Sequence, residues 1–188
     1  DGGRWRAAAT SSVSSTAMGE QSRAPVVAAA TSYIPSARRF ISVCLKLAGL
    51  FRRGQHNSRR LDTAHNQFHI PGLPQAFEGF RILHLTDLHV DMDEANLQAV
   101  IRQIEPLEYD VCVLTGDYRR LTWGPIEGAM EGMARLRSAI HGKAYAVLGN
   151  HDSVRMVPGL EDMGYHLLMN EHAVLQRGED KLYLAGVD

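Results

Sequence analysis

Three short apolar runs, each ending in a cluster of Asp, His or Asn, constrain this chain more than any other feature. Phe80-Arg81-Ile82-Leu83-His84-Leu85-Thr86 leads into Asp87-Leu88-His89. Val111-Cys112-Val113-Leu114-Thr115 leads into Gly116-Asp117, and Lys143 to Leu148 into Gly149-Asn150-His151-Asp152. A continuous apolar run that stops at glycine reads as a buried strand. Between the runs, residues 93–105 place Leu97, Val100, Ile101 and Ile104 at helical spacing. Residues 125–140 do the same with Ile126, Ala129, Met130, Met133, Leu136 and Ile140. Strand, helix, strand, helix, strand predicts parallel pairing with crossovers, an α/β fold. A short helix is expected over 153–163 and strands near 165–169, 172–176 and 181–186. The turn Arg177-Gly178-Glu179-Asp180 reads as part of an antiparallel continuation of the sheet.

In a parallel α/β sheet, ligands bind beyond the carboxyl ends of the strands. The three polar clusters therefore converge on one sheet edge. Asp and His two residues apart in a loop can reach one divalent cation. A glycine beside each later cluster lets the backbone turn sharply. Oxygen and imidazole donors suit Mn, Fe, Zn or Mg rather than thiolate-loving metals. Asp-x-His and Gly-Asp are weak signals taken singly. Gly-Asn-His-Asp is strong, with a chance match on the order of one in a thousand for a chain of this length.

These motifs, in this order, resemble the calcineurin-like metallophosphoesterase superfamily over about residues 77–188. The phrases Phe80 to His89, Leu114-Thr115-Gly116-Asp117-Tyr118-Arg119 and Leu184-Ala185-Gly186-Val187-Asp188 resemble its bacterial-type subgroup, which includes peripheral-membrane lipid phosphoesterases. The resemblance implies half of a four-layer α/β/β/α sandwich and hydrolysis of a phosphomonoester or phosphodiester by a metal-bound hydroxide at two divalent ions. By matching motif, Asp87 and His89 hold the first metal, Asp117 bridges both, and Asn150 holds the second. His151 is implied as general acid, with Asp152 orienting it. The family pattern completes its site with a later His and a Gly-His-x-His motif, neither of which occurs here. The expectation is a fragment, inactive by itself, which begins at Asp1 rather than Met and stops inside an apolar run. A scaffold or binding protein on the same fold is the competing reading. His166 and His172 read as ordinary strand or surface histidines, His84 as a packed one and Trp123 as a loop anchor.

The front of the chain differs in character. Residues 1–76 hold 10 Lys/Arg against 3 Asp/Glu, and residues 77–188 hold 10 against 18. The acidic body fits a cation site and carries no basic stripe, so nucleic acid is not an expected partner. Residues 1–37, rich in Ala, Ser and Thr, are expected to be disordered. Residues 38–76 form a basic segment and linker. Within it, Phe40 to Phe51 lies between the pairs Arg38-Arg39 and Arg52-Arg53. Spanning a bilayer takes about 20 apolar residues, so this run is too short. It reads as a helix lying on an anionic membrane surface, a helix packed on the domain, or an export signal. The expected substrate is a phosphate ester, with a lipid-linked or nucleotide ester as candidates. Cys44 and Cys112 have no metal-binding or redox spacing.

Overall fold

The computed structural model describes residues 40–187. The expected disorder of residues 1–37 and the pair Arg38-Arg39 fall outside that range. The described residues divide into two units, with the boundary between Arg52 and Arg53. Residues 40–47 are helical, and helix α1 (Leu50–Ser58) crosses the boundary between the units.

The second unit builds a four-stranded sheet from β1 (Ile82–Leu85), β2 (Val111–Thr115), β3 (Ala144–Val147) and β4 (Tyr165–Leu167). The strands lie in chain order and all pairs are parallel. Three helices make the crossovers: α2 (Glu94–Ile104), α3 (Glu127–Ala139) and α4 (Val157–Asp162), the last entered through a 3-10 turn at Val154–Met156. Parallel crossovers are right-handed, so strands added always on the same side place every helix on the same face. The core agrees. Leu97 and Ile104 of α2, Met133 and Leu136 of α3, and Leu160 of α4 pack with Cys112, Leu114, Ala144 and Ala146.

The opposite face is left for a different partner. Strands β5 (Glu171–Arg177) and β6 (Asp180–Gly186) form a separate antiparallel ribbon. Its Leu175, Leu182 and Leu184 pack with Val111, Val113, Tyr145, Val147 and Phe77. Successive side chains of β2 and β3 thus alternate between the helical side and the ribbon side, so both faces of these strands are buried, as their unbroken apolar sequence requires.

Two expectations change here. The strand near 165–169 does not begin an antiparallel continuation: β4 runs parallel to β3, because α4 returns the chain to the same end of the sheet. The antiparallel pair is a second sheet, not an extension of the first. His84, expected to be packed, is exposed and shares a 2.8 Å hydrogen bond with Thr115 Oγ1. On β1 the burial alternates, and Ile82 beside it is 50% exposed.

Two of the helical starts carry side-chain caps. Asp93 caps α2, its carboxylate accepting from the Ala95 amide at 2.9 Å. That bond, followed by the Arg59 side chain, holds its carboxyl below the usual range. Ser153 caps the 3-10 turn in the same way.

Candidate metal centre

The loops that leave β1, β2 and β3 continue the sheet's hydrogen bonding for a few residues before they diverge. The amides of Asp87, His89 and Val90 donate to the carbonyls of Gly116, Asp117 and Tyr118 at 3.2, 3.0 and 2.8 Å. The Asp152 carboxylate then ties the third loop to the second. One oxygen accepts from the amides of Tyr118 (2.9 Å) and Arg119 (3.4 Å), the other from the amide of Gly149 (2.9 Å). Burial raises the carboxyl of Asp152 above its ordinary value, against the pull of these amides.

The turn between β2 and its loop has no room for side chains. Gly116 has φ +87°, and a Cβ there would lie 2.7 Å from the Leu148 carbonyl carbon and nearer still to Gly149. A Cβ on Gly149 would lie 3.0 Å from Asp117 Cγ. The two glycines let the second and third loops touch backbone to backbone, which brings Asp117 under the third loop.

Asp87, His89 and Asp117 meet at this junction, with one ligand atom from each lying within 4.8 Å of the others. All three sit in the left-handed backbone region, at φ 52°, 40° and 57°. Each has one atom engaged and another open. Asp87 Oδ2 accepts from the Thr86 hydroxyl at 2.6 Å. Asp117 Oδ1 accepts from the His151 amide at 2.9 Å. His89 Nδ1 lies 2.8 Å from the Arg119 carbonyl. A carbonyl can only accept, so Nδ1 carries the proton and Nε2 is left with its lone pair outward, the arrangement of a metal-ligating histidine. Two carboxylates and one oriented imidazole fit a hard to borderline divalent cation.

Asn150 and His151 lie on the third loop, whose His151 amide reaches Asp117. Asn150 is exposed. The His151 ring stands edge-on to that of His89, with centroids 5.4 Å apart. Its Nδ1 is 3.3 Å from the Thr122 hydroxyl. Asp152, expected to orient His151, accepts from backbone amides, and the Thr122 hydroxyl stands at the imidazole.

Two residues at the site carried no role in the sequence reading. Arg119 is 2% exposed. Its carbonyl orients His89, while its guanidinium donates to the carbonyls of Gly124 (3.1 Å) and Pro125 (3.2 Å) and so closes the loop after β2 on itself. Thr122 is the second, placed by that closed loop. Trp123, expected to anchor the loop, is 84% exposed at its tip. His166 and His172 lie outside the cluster on β4 and β5, their rings tilted against those of Tyr145 and Tyr183.

A parallel sheet with an Asp-x-His, Gly-Asp and Gly-Asn-His-Asp series at consecutive strand ends defines a metallophosphoesterase domain. The family model of calcineurin-like phosphoesterases matches residues 80–187, and the chain belongs to that family. Among curated relatives, a transmembrane protein with metallophosphoesterase domain from Danio rerio is 30% identical over 126 residues. An uncharacterized metallophosphoesterase, YkoQ, from Bacillus subtilis is 31% identical over 126 residues. Each alignment covers 62% of this chain but only 28% and 46% of the relatives. The chain therefore spans less than half the length of either.

Proposed function

We propose that this domain hydrolyses a phosphate ester at a centre of two divalent ions. Asp87 and His89 hold one ion, Asn150 the other, and Asp117 is shared. The convergence of Asp87, His89 and Asp117 on one point carries the reading. When bound, such ions neutralise the phosphoryl group and acidify water.

The protein's own groups have separable tasks. Arg119 fixes the tautomer and direction of His89 through its carbonyl. The His151 amide orients the Asp117 carboxylate through one of its oxygens. Its negative charge would suit a position shared between two cations. His151 donates a proton to the leaving oxygen. With the Thr122 hydroxyl at Nδ1, Nε2 is the atom that carries that proton toward the ester. Asp152 keeps the second and third loops in register, so His151 stays above Asp117.

The test uses the natural protein with Mn, Fe, Zn or Mg and two substrates, p-nitrophenyl phosphate and bis-p-nitrophenyl phosphate. Hydrolysis of one or both is expected, lost to a chelator and restored by metal. Asp117→Asn should lower bound metal below two per chain and slow turnover at least about a thousandfold, since the charge at a shared ligand is removed. A wild-type protein that binds metal yet cleaves neither ester would favour the scaffold reading. Near-normal turnover in Asp117→Asn would show that another residue is shared.

A further inference from the structure

The described residues at the front of the chain show their apolar side chains to water. Within residues 40–50, Phe40 is 71% exposed, Ile41 55%, Val43 52%, Leu47 84% and Leu50 49%. A helix that packs on its own domain turns such residues inward, and one meant for water does not carry them in a row. Single exposed apolar residues are ordinary, but a contiguous set marks an interaction surface. From residue 38 to residue 60 the chain holds seven Lys/Arg and no Asp or Glu. No helix among the described residues is long and apolar enough to cross a membrane.

We propose that residues 40–58 dock on an anionic lipid surface. The apolar side chains enter the boundary between headgroups and acyl chains. The basic residues stay at headgroup depth, where long stems let the charge reach outward while the carbons remain in apolar surroundings. Lys46 holds its Nζ 5.1 Å from the Phe51 ring centroid, a cation against an aromatic face. Nucleic acid would use the same charges, but a phosphate backbone gives Phe40, Leu47 and Leu50 nothing to bury against. A lipid surface uses both halves of the pattern. The inference is independent of the phosphoesterase reading, since it involves none of the residues of the metal centre.

The experiment floats the 188-residue chain with vesicles of phosphatidylcholine alone or mixed with phosphatidylglycerol. The mixed vesicles should bind at least about tenfold more tightly at low salt, because each basic residue near an anionic surface adds to the attraction. Binding should weaken as salt approaches about 1 M, where the screening length falls to about 3 Å. Arg52→Glu with Arg53→Glu should remove the preference for the mixed vesicles. Phe40→Ser with Leu47→Ser should weaken binding to them without abolishing their advantage over neutral ones. A readout on the unaltered chain guards against damaged variants: Cys44, exposed within the segment, should be alkylated freely in buffer and with neutral vesicles, and slowly with mixed ones. The proposal is overturned if mixed vesicles are ignored, or if neutral vesicles bind equally well. Protection of Cys44 by self-association without lipid also overturns it, as does tight binding of duplex DNA by a chain that leaves the vesicles alone.

Discussion

At the scale of residues, the metal centre rests on backbone geometry that most side chains avoid. Asp87, His89 and Asp117 all have positive φ. Aspartate tolerates the left-handed region better than most residues and histidine is enriched there, but such positions still cost on the order of 1 kcal/mol or more each. Hydrogen bonds between the loops and the braces from Asp152 and Arg119 hold these conformations in place. Strain concentrated on three would-be ligands fits a site shaped for an ion. His151 stands apart from them: its amide supports Asp117, while its ring meets Thr122 and His89. In the natural protein, His151→Ala should therefore keep the metals, because the amide remains, and slow the chemistry. General acid help is worth about 10²–10⁴ in rate, and it matters most for a poor leaving group. The loss should be large for an alkyl phosphate ester and small for a nitrophenyl ester. Rates for the two esters, with metal content assayed beside them, check this. Equal losses, or loss of metal, would remove the acid role.

At the scale of elements, the two glycines connect loop shape to ligand placement. Gly149→Ala puts a methyl group 3.0 Å from Asp117 Cγ, with the Asp117 amide nearer still. Those neighbours are backbone and the hydrogen-bonded Asp117 carboxylate, so they cannot yield cheaply. The expected result is a stability loss of about 1–3 kcal/mol, the range for overpacking. Metal affinity should fall with it. Thermal unfolding and metal titration by calorimetry measure the two. Unchanged metal affinity in a folded Gly149→Ala would separate the second loop from the third. The sequence showed the strand ends and the residue types they present, because strand termini and glycines leave a local signature. It did not show that β4 is parallel: a three-residue strand has no readable period, and its direction is set by the helix before it. Nor did it show His84 in water, since burial of one face of β1 depends on what lies across from it. Arg119 and Thr122 were invisible for a related reason. One acts through a backbone carbonyl and the other through a loop folded back by Arg119, and neither role requires a distinctive residue pattern.

At the scale of the whole molecule, the two cysteines report on different parts of the chain. Cys44 is exposed in the helical front segment, and Cys112 is fully buried on β2. Cys112 lies on a central strand with its side chain in the core beneath the helices, so it is reached only when that packing opens. Burial pushes its thiol up to about 12. Two consequences are measurable. A thiol reagent near neutral pH should modify one cysteine promptly and the second only on unfolding. With domain stabilities of about 5–15 kcal/mol, that second rate should be slower by at least about a thousandfold. The other consequence concerns stability at high pH. The unfolded chain releases the Cys112 proton near the ordinary thiol value of 9.0, while the folded chain keeps it to about 12. A raised pKa means the folded state binds the proton more tightly. The stability from that difference is complete below pH 9 and is lost as pH rises toward 12, at up to about 1.4 kcal/mol per pH unit. Cys112→Ala removes the group, so its unfolding free energy should fall less steeply over this range than that of the parent chain. Denaturant unfolding of both chains from pH 8 to about 11 gives the comparison. Parallel curves would mean that the thiol is already ionised in the folded sheet. Prompt labelling of both cysteines would mean that the sheet opens far more readily than its packing implies.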